Sequence, residues 1–190
     1  DYTVALGDIN GGNAQAAVIA SAYAFGGDLN NLDPAFEFWT QMAEDGRINT
    51  LDILQQNFET GEIPVGVIWS FTAIPYKDQI TKYKLQANIP TDGSIMSGYA
   101  SVINKYAPHP CAAALAREYI FSDEGQANLA AAGAIPTRTD VEIPDDIQNA
   151  TFKSEDYANA IPMEDTDAYT KACETVVERW QEEITPLLVQ

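Results

Sequence analysis

Residues 7–27, GDINGGNAQAAVIASAYAFGG, decide how the chain begins to fold. They follow YTVALGD, which predicts a β-strand with apolar Val4 and Leu6. An alanine-rich helix is predicted over residues 13–25, because the double glycine at 26–27 is a common C-terminal signal. Two further glycines stand where the strand passes into the helix. They indicate either a tight turn or a backbone that a ligand approaches closely.

The next segments continue the alternation of helix and strand. NLDPAFEFWTQMAEDG predicts a helix with Asp33 as N-cap, Pro34 at its first position and Gly46 as its stop. TLDILQQNFETGE predicts a short helix that Gly61 ends. The apolar, β-branched run IPVGVIWSFTA is typical of a strand that is buried on both faces.

The second half of the sequence predicts more elements of both kinds. YKLQANIP and SGYASVINK predict strands around a TDG turn, and the segment from His109 to Gly133 predicts two helices with a break at Ser122. A strong amphipathic helix is predicted over about residues 167–187. Strands that alternate with helices indicate an α/β fold with a mostly parallel sheet flanked by helices.

Charge excludes some partners. The 190 residues include 28 Asp and Glu against 10 Lys and Arg, a formal net charge of −18. A surface this acidic repels phosphate backbones, so nucleic acid is not an expected partner. No segment approaches the roughly 18 apolar residues of a membrane span, and no leader pattern precedes the first strand.

Signatures of catalysis, metal binding and redox chemistry are missing from the sequence. The lone His109 stands between two prolines, which suits a loop better than a positioned base. No nucleophile elbow, HExxH motif, phosphate loop or calcium loop is present, so no enzyme, cofactor or metal is predicted. Cys111 and Cys173 lack CxxC spacing and are expected to be buried free thiols, with a disulfide between them as the alternative.

Taken in order, several segments resemble one protein family. They are IPVGVIWSFTAIP, the PTDG turn, SGYASVIN, HPCAAALAREYIFSDEGQ and GAIPTRTDV, together with the opening DINGGN turn. The chain resembles the second half of an extracellular solute-binding protein of an ABC importer. The nearest branch is the type II periplasmic-binding-protein group that serves ferric iron, polyamines, thiamine and phosphonates.

The resemblance implies a division of the chain between two α/β lobes. Residues 1–95 correspond to the first part of lobe two, residues 96–138 to a segment that returns to lobe one, and residues 139–190 to a connector and helices that pack on lobe two. A signal peptide and the first part of lobe one are expected to precede residue 1. The returning segment is then expected to expose apolar surface and to self-associate, repack or be poorly ordered.

The resemblance also implies a ligand site in the cleft between lobes. Its candidate residues are Asn10, Gly11, Gly12, Asn13, Trp69, Ser70, Phe71, Asp92 and Tyr99. The glycine turn would present backbone N–H groups to an anion, and the aromatic side chains would form a wall against the ligand. The alternatives are a turn that binds nothing, core positions for Trp69 and Phe71, and an ordinary turn at Asp92.

The sequence differs from individual branches of the family at positions that bind the ligand, and these differences narrow the class of ligand expected. Ferric-binding relatives have adjacent tyrosines where this chain has Ser70 and Phe71, and polyamine binders have an acid close after the tryptophan. The remaining features favour a small anionic or zwitterionic solute, such as a phosphonate, delivered outside the cytoplasm to permease subunits. Polyamine, thiamine and ferric-iron binding, and a sensor that feeds a receptor, are the alternatives.

Overall fold

The computed structural model describes residues 2–188 as a mixed α/β chain. Its strands are short: β1 (Val4–Ala5), β2 (Ile48–Asn49), β3 (Val65–Gly66), β4 (Ile95–Met96) and β5 (Ile161–Pro162). Its α-helices are α1 (Gly12–Ala24), α2 (Asp33–Glu44), α3 (Gln55–Thr60), α4 (Ser70–Gln79), α5 (Pro110–Ile120), α6 (Asp123–Ala131), α7 (Asp145–Ala150), α8 (Thr166–Arg179) and α9 (Thr185–Leu188). The predicted α/β class is confirmed.

Two small parallel sheets organise these elements. The first has the order β2-β1-β3, with Val4 paired to Ile48 on one side and to Val65 on the other. The second joins β4 to β5, with Ile95 opposite Ile161. Because β1 and β3 are adjacent and parallel, the segments that follow them leave the sheet at the same edge.

The main core lies where α1 meets α2 and α8. Alanines of α1 allow close helix packing, and Val18, Ile19 and Phe36 fill the space between the helices. The Trp39 ring lies 5.8 Å from the Trp180 ring, and its indole N–H donates to the Ser21 hydroxyl over 2.9 Å. A buried indole with a hydrogen-bond partner of this kind fixes the position of α2 against α1.

The C-terminal helix contributes the other wall of this core. α8 passes into a π-helical turn at Trp180–Ile184 and then into α9. The predicted apolar stripe is confirmed, because Ala172, Val176, Trp180 and Ile184 are buried against the core. Arg179 lies 4.1 Å above the Phe36 ring and pairs with Asp33 and Glu183, which joins α8 to α2 at the surface.

Residues 97–160 are much less buried. α5 contains no buried residue, and Leu115 on that helix is 72% exposed. Tyr99, Val102 and Tyr106 precede α5 and are 83 to 84% exposed. The resemblance implied exposed apolar surface for residues 96–138, and these four exposed side chains lie within that range.

One buried side chain holds α6 to the segment that follows it. The predicted break at Ser122 is confirmed: its hydroxyl accepts from the Gly125 N–H and caps α6. The Gln126 amide is fully buried, donates to the Ile120 carbonyl and accepts from the N–H groups of Thr137 and Arg138.

Three predicted strands are wrong. In IPVGVIWSFTA only Val65 and Gly66 form a strand, and α4 begins at Ser70. β3 is an edge strand, and Val65 and nearby Val67 are exposed instead of buried on both faces. YKLQANIP and SGYASVINK are irregular, because neither finds a neighbouring strand within residues 2–188; β4 ends at Met96, where its pairing with β5 stops.

The burial of the two cysteines differs from the prediction. Both thiols are free, but Cys111 is exposed and Cys173 is half-buried against the main core. Their exposure differs because α5 buries none of its residues, whereas α8 packs on α1. Within the described residues, no helix combines the length and the apolar character that crossing a membrane requires.

Candidate ligand-binding site

The turn after β1 is held by its own hydrogen bonds. Gly7 has a φ of 78°, a conformation that favours glycine, and turns the chain away from the strand. The Asp8 carboxylate accepts from the Asn10 backbone N–H at 3.0 Å and from its side-chain amide at 2.9 Å. These two bonds lower the pKa of Asp8, the backbone bond more than the side-chain bond. Asp8 is therefore an exposed carboxylate at the turn, and Asn10 already holds it.

The start of α1 has backbone donors without acceptors. Gly11 is its N-cap and offers no side-chain cap, and the first turn contains no acidic residue. Among residues 2–188, nothing accepts from the N–H groups of Gly12, Asn13 and Ala14. Three N–H groups at the positive end of a helix suit an anion.

Asn13 connects this turn to the neighbouring strand. Its side-chain amide donates to the Val67 carbonyl at 2.7 Å and to the Leu6 carbonyl at 3.2 Å. Asn13 therefore has a structural role, because it bridges the carboxyl ends of β1 and β3. It also brings the start of α1 near Trp69, which follows Val67 by two residues and so lies at most about 7 Å along the chain from it.

A second helix begins at the same edge. Trp69 is the extended N-cap residue of α4, and its carbonyl accepts from the N–H groups of Thr72 and Ala73 at 2.9 and 3.0 Å. Within the described chain, the N–H groups of Ser70 and Phe71 have no acceptor. The side chains of Trp69, Ser70 and Phe71 are half-buried, which is neither a core position nor a free surface position.

Segments from later in the chain close around the first turn of α4. The Phe71 and Tyr99 rings lie 6.0 Å apart, edge to face, although Tyr99 is otherwise largely exposed. Gly133 lies so close to Phe71 that a Cβ there would come within 3.2 Å of the Phe71 Cα and carbonyl oxygen. Phe71 is therefore held from two sides.

Tyr157 is a half-buried residue that was not predicted from the sequence. Burial raises the pKa of Tyr157, a polar contact with the Ser70 side chain opposes that rise, and the Asp156 charge adds to it. Its ring also packs edge to face against Phe152 at 6.0 Å. The residue lies in a short 3-10 turn without periodicity, so the sequence contains no signal for this contact.

Asp92 lies elsewhere. It is exposed and directly precedes Gly93, which packs against Ala20 and Ala24 of α1. Ala20 follows Gly12 by eight residues, about 12 Å along the helix. The structure thus places seven predicted residues along one sheet edge or on α4, Tyr99 against Phe71, and Asp92 beside the far half of α1.

Two depressions lie away from the predicted site residues. A depression of about 430 Å³ lies between α2 and Arg179, and half of its lining residues are acidic. Another, of about 450 Å³, lies beside Cys173 and Gln15. Within residues 2–188, no three His, Cys, Asp or Glu side chains are grouped so that they could hold a metal ion.

The fold and this edge define the class of the protein. In open α/β sheets, small molecules bind outside the carboxyl ends of parallel strands, and this edge of the chain carries two uncapped helix starts and half-buried aromatic side chains. The sequence profile described as bacterial extracellular solute-binding protein matches residues 2–161. The chain belongs to this family, so it is a binding protein for a small solute outside the cytoplasm. No curated protein matches it.

Proposed function

We propose that the chain is the solute-binding component of an ABC importer, and that it captures a small anionic or zwitterionic solute in an interlobe cleft. A phosphonate or a phosphate-bearing compound is the class we favour. The observation that carries this proposal is the pair of helix starts, α1 and α4, which Asn13 holds together at the carboxyl ends of β1 and β3.

The chemistry of the two helix starts supports an anionic group on the ligand. Five backbone N–H groups, three on α1 and two on α4, have no acceptor within residues 2–188, and neither first turn contains an acid. A phosphonate or phosphate group has three or more oxygens that can accept from such donors at once. No lysine or arginine is among the predicted site residues, so the backbone would supply the recognition.

Asp8 favours a ligand that also has a positive charge. Its carboxylate lies in the turn that leads into α1 and stays ionised because Asn10 stabilises it. It would repel a dianion and attract an ammonium group. An aminoalkylphosphonate has both charges at a suitable spacing, and it fits this turn better than inorganic phosphate does.

The alternatives have less support at this edge. Ferric iron prefers several phenolate or carboxylate oxygens, and Ser70 and Phe71 supply none. A polyamine would have Asp8 as a counter-charge, but it would leave five backbone donors unused. Thiamine has a cationic ring, and the backbone N–H donors at this edge would repel a positive charge.

The other wall of the cleft would be the first lobe. We assign residues 96–138 to the segment that returns to it, residues 1–95 to lobe two and the remainder to elements that pack on lobe two. The exposure of Val102, Tyr106 and Leu115 supports this division, because apolar side chains at such positions need a covering partner.

Calorimetric titration of the full-length protein tests the proposal. The ligands are aminomethylphosphonate, methylphosphonate, inorganic phosphate, spermidine and thiamine. We expect binding of the phosphonates and phosphate, with aminomethylphosphonate tightest, and no binding of spermidine. Tight binding of spermidine or thiamine alone would overturn the anionic class and leave the family assignment intact.

Gly12 offers a variant that separates binding from folding. A Cβ at Gly12 meets nothing within 4 Å, so Gly12→Ala should fold at least as well as the parent. Its methyl group occupies the space in front of the free N–H groups, so affinity should fall about tenfold. Gly12→Asp should weaken binding further by charge repulsion, whereas Gln56→Glu, at an exposed position of α3, adds the same charge and should leave affinity unchanged.

A further inference from the structure

We propose that Asn10–Gly11 is a site of spontaneous deamidation, and that Asp8 restrains this reaction in the folded protein. Asn10 is the only asparagine in the sequence that a glycine follows. Both residues are exposed, in the turn between β1 and α1. The reaction needs water and no bound solute, so it does not depend on the proposed function.

The reaction converts a side-chain amide to an acid through a cyclic imide. The backbone nitrogen of Gly11 attacks Cγ of Asn10 and forms a new N–C bond. The Cγ–Nδ2 bond breaks, and Nδ2 leaves as ammonia with the proton that the Gly11 nitrogen gives up. Water then opens the ring at either carbonyl, which leaves aspartate or isoaspartate at this position. One water is consumed and one ammonia is released.

Glycine after Asn10 allows this attack. Gly11 has no Cβ beside its nitrogen, so no side chain crowds Cγ as it approaches. A Cβ at Gly11 would lie 3.1 Å from the Asp8 carbonyl oxygen, closer than ordinary van der Waals contact. A larger residue at this position would therefore hinder ring closure and also press on the turn.

Three hydrogen bonds to Asp8 oppose the rearrangement that the reaction requires. The Asp8 carboxylate accepts from the Asn10 backbone N–H at 3.0 Å and from the Asn10 side-chain amide at 2.9 Å. The Asp8 carbonyl accepts from the Gly11 N–H at 2.9 Å. Ring closure turns the Asn10 side chain onto the Gly11 nitrogen and removes the proton that this nitrogen donates. Bonds to Asp8 must therefore break first, and each one raises the barrier.

The turn before α2 provides a comparison within the same chain. The Asp28 carboxylate accepts from the backbone N–H groups of Asn30 and Asn31 at 2.7 and 3.0 Å. Asn30 is exposed, like Asn10, but the residue after it has a side chain. Because that side chain crowds the attacking nitrogen, we expect Asn30 to deamidate more slowly than Asn10.

Deamidation alters the turn that contains the predicted site residues Asn10, Gly11 and Gly12. Either product places a second negative charge beside Asp8 and removes the amide proton that held its carboxylate. Isoaspartate also lengthens the main chain by one atom, so the bond from Gly11 to Asp8 cannot close in the same way. Aged protein should therefore separate from fresh protein on anion exchange.

Peptide mapping by mass spectrometry tests the proposal. The full-length protein is aged in mildly alkaline buffer beside a synthetic peptide of residues 7–15 and the variant Asp8→Ala. We expect product at Asn10 in all three samples. The rate in the parent should be about tenfold lower than in the peptide, the effect of one hydrogen bond to a charged group. Asp8→Ala should recover most of that difference.

Asp28→Ala is the matched control, because it removes an exposed carboxylate from the turn before α2. It should leave the rate at Asn10 unchanged. Gly11→Ala should nearly abolish the product. Asp8→Asn keeps an uncharged acceptor and should react at an intermediate rate. It replaces Asp8→Ala if the melting temperature shows that Asp8→Ala does not fold.

The outcomes test the site and its restraint separately. Absence of product at Asn10 in the parent and in the Asp8 variants would overturn the site. Equal rates in the parent and the peptide, or folded Asp8 variants that react no faster than the parent, would overturn the role of Asp8. Slow reaction in the parent, fast reaction in Asp8→Ala and no change in Asp28→Ala would support both.

Discussion

α1 and α5 are alanine-rich helices of 13 and 11 residues, yet their surroundings differ. α1 is buried along most of its length because α2 and α8 cover it. α5 has no buried residue, although Leu115 and Tyr119 form an apolar pair one turn apart. Similar composition therefore gives a core helix in one region and an exposed helix in the other. The difference lies in what packs against each helix.

The largest expected effect comes from truncating one aliphatic side chain in each helix. Ile19 of α1 is fully buried, so Ile19→Ala should lower the free energy of unfolding by about 2–5 kcal/mol. Leu115→Ala, on an exposed position of α5, should change it by less than about 0.5 kcal/mol. Urea denaturation of both variants gives the two values. A loss of more than about 1 kcal/mol in Leu115→Ala would show that α5 is covered in solution.

The next largest difference between α1 and α5 should appear in their rates of amide hydrogen exchange. Amides of residues 16–22 lie in the main core and should exchange only through global unfolding. Amides of α5 should exchange at least about tenfold faster, because local opening there exposes no buried apolar surface. Mass spectrometry of peptides from the two helices measures the rates. Equal protection would contradict the contrast between them.

Two arginines allow a comparison of the main core with the region around α5 and α6, with a smaller expected effect on stability. Arg179 joins α8 to α2 through Asp33, Glu183 and the Phe36 ring, so Arg179→Ala should lower global stability by about 1 kcal/mol. Arg138 pairs with exposed Asp123 and Asp140. Its loss should leave the urea midpoint unchanged and increase only proteolysis near residue 138. Equal shifts of the midpoint would mean that both regions unfold as one cooperative unit.

The smallest expected effect is a pH dependence of the main core. Burial raises the pKa of the Cys173 thiol, opposed by contact with the Tyr169 hydroxyl, and burial also raises the pKa of Tyr169. The folded state therefore keeps these protons at a pH where the unfolded state loses them. The two protonated groups contribute fully to the stability of the folded state below the ordinary thiol pKa of about 8.5. This contribution is lost as the pH rises above that value.

Because Cys173 and Tyr169 are half-exposed, the loss should be under about 1 kcal/mol. Urea midpoints measured across this range should fall less steeply in Cys173→Ala than in the parent. Cys111→Ala removes an exposed thiol and should keep the parent's slope. An identical slope in all three proteins would show that Cys173 does not cause the pH dependence of stability.

Local sequence signals predicted the helices well. α2 begins at Asp33, with Leu32 instead of the predicted Asp33 as its N-cap, and Gly46 follows its end as expected. Gly61 ends α3 in a left-handed conformation, and the apolar stripe of α8 faces the core. These signals depend only on residues within one or two helical turns, so they can be read from the sequence without knowledge of the rest of the fold.

The strands were predicted poorly because strands depend on partners. The apolar run at residues 63–73 suits a buried strand and the start of a helix equally well, and the position of Trp69 at the N-cap of α4 decides between them. The site shows the same limit. The glycine turn and Trp69 stand out in the sequence, whereas the close approach of Gly133 to Phe71 joins residues far apart in the chain.

Gln126 has a practical consequence for engineering. Its amide fixes the chain at Ile120 on one side and at Thr137 and Arg138 on the other, so the intervening length cannot change without breaking a buried bond. A reporter domain inserted between residues 127 and 136 should therefore disrupt the loop. The exposed, extended stretch after Asp140 carries no such constraint and is the better place to insert one.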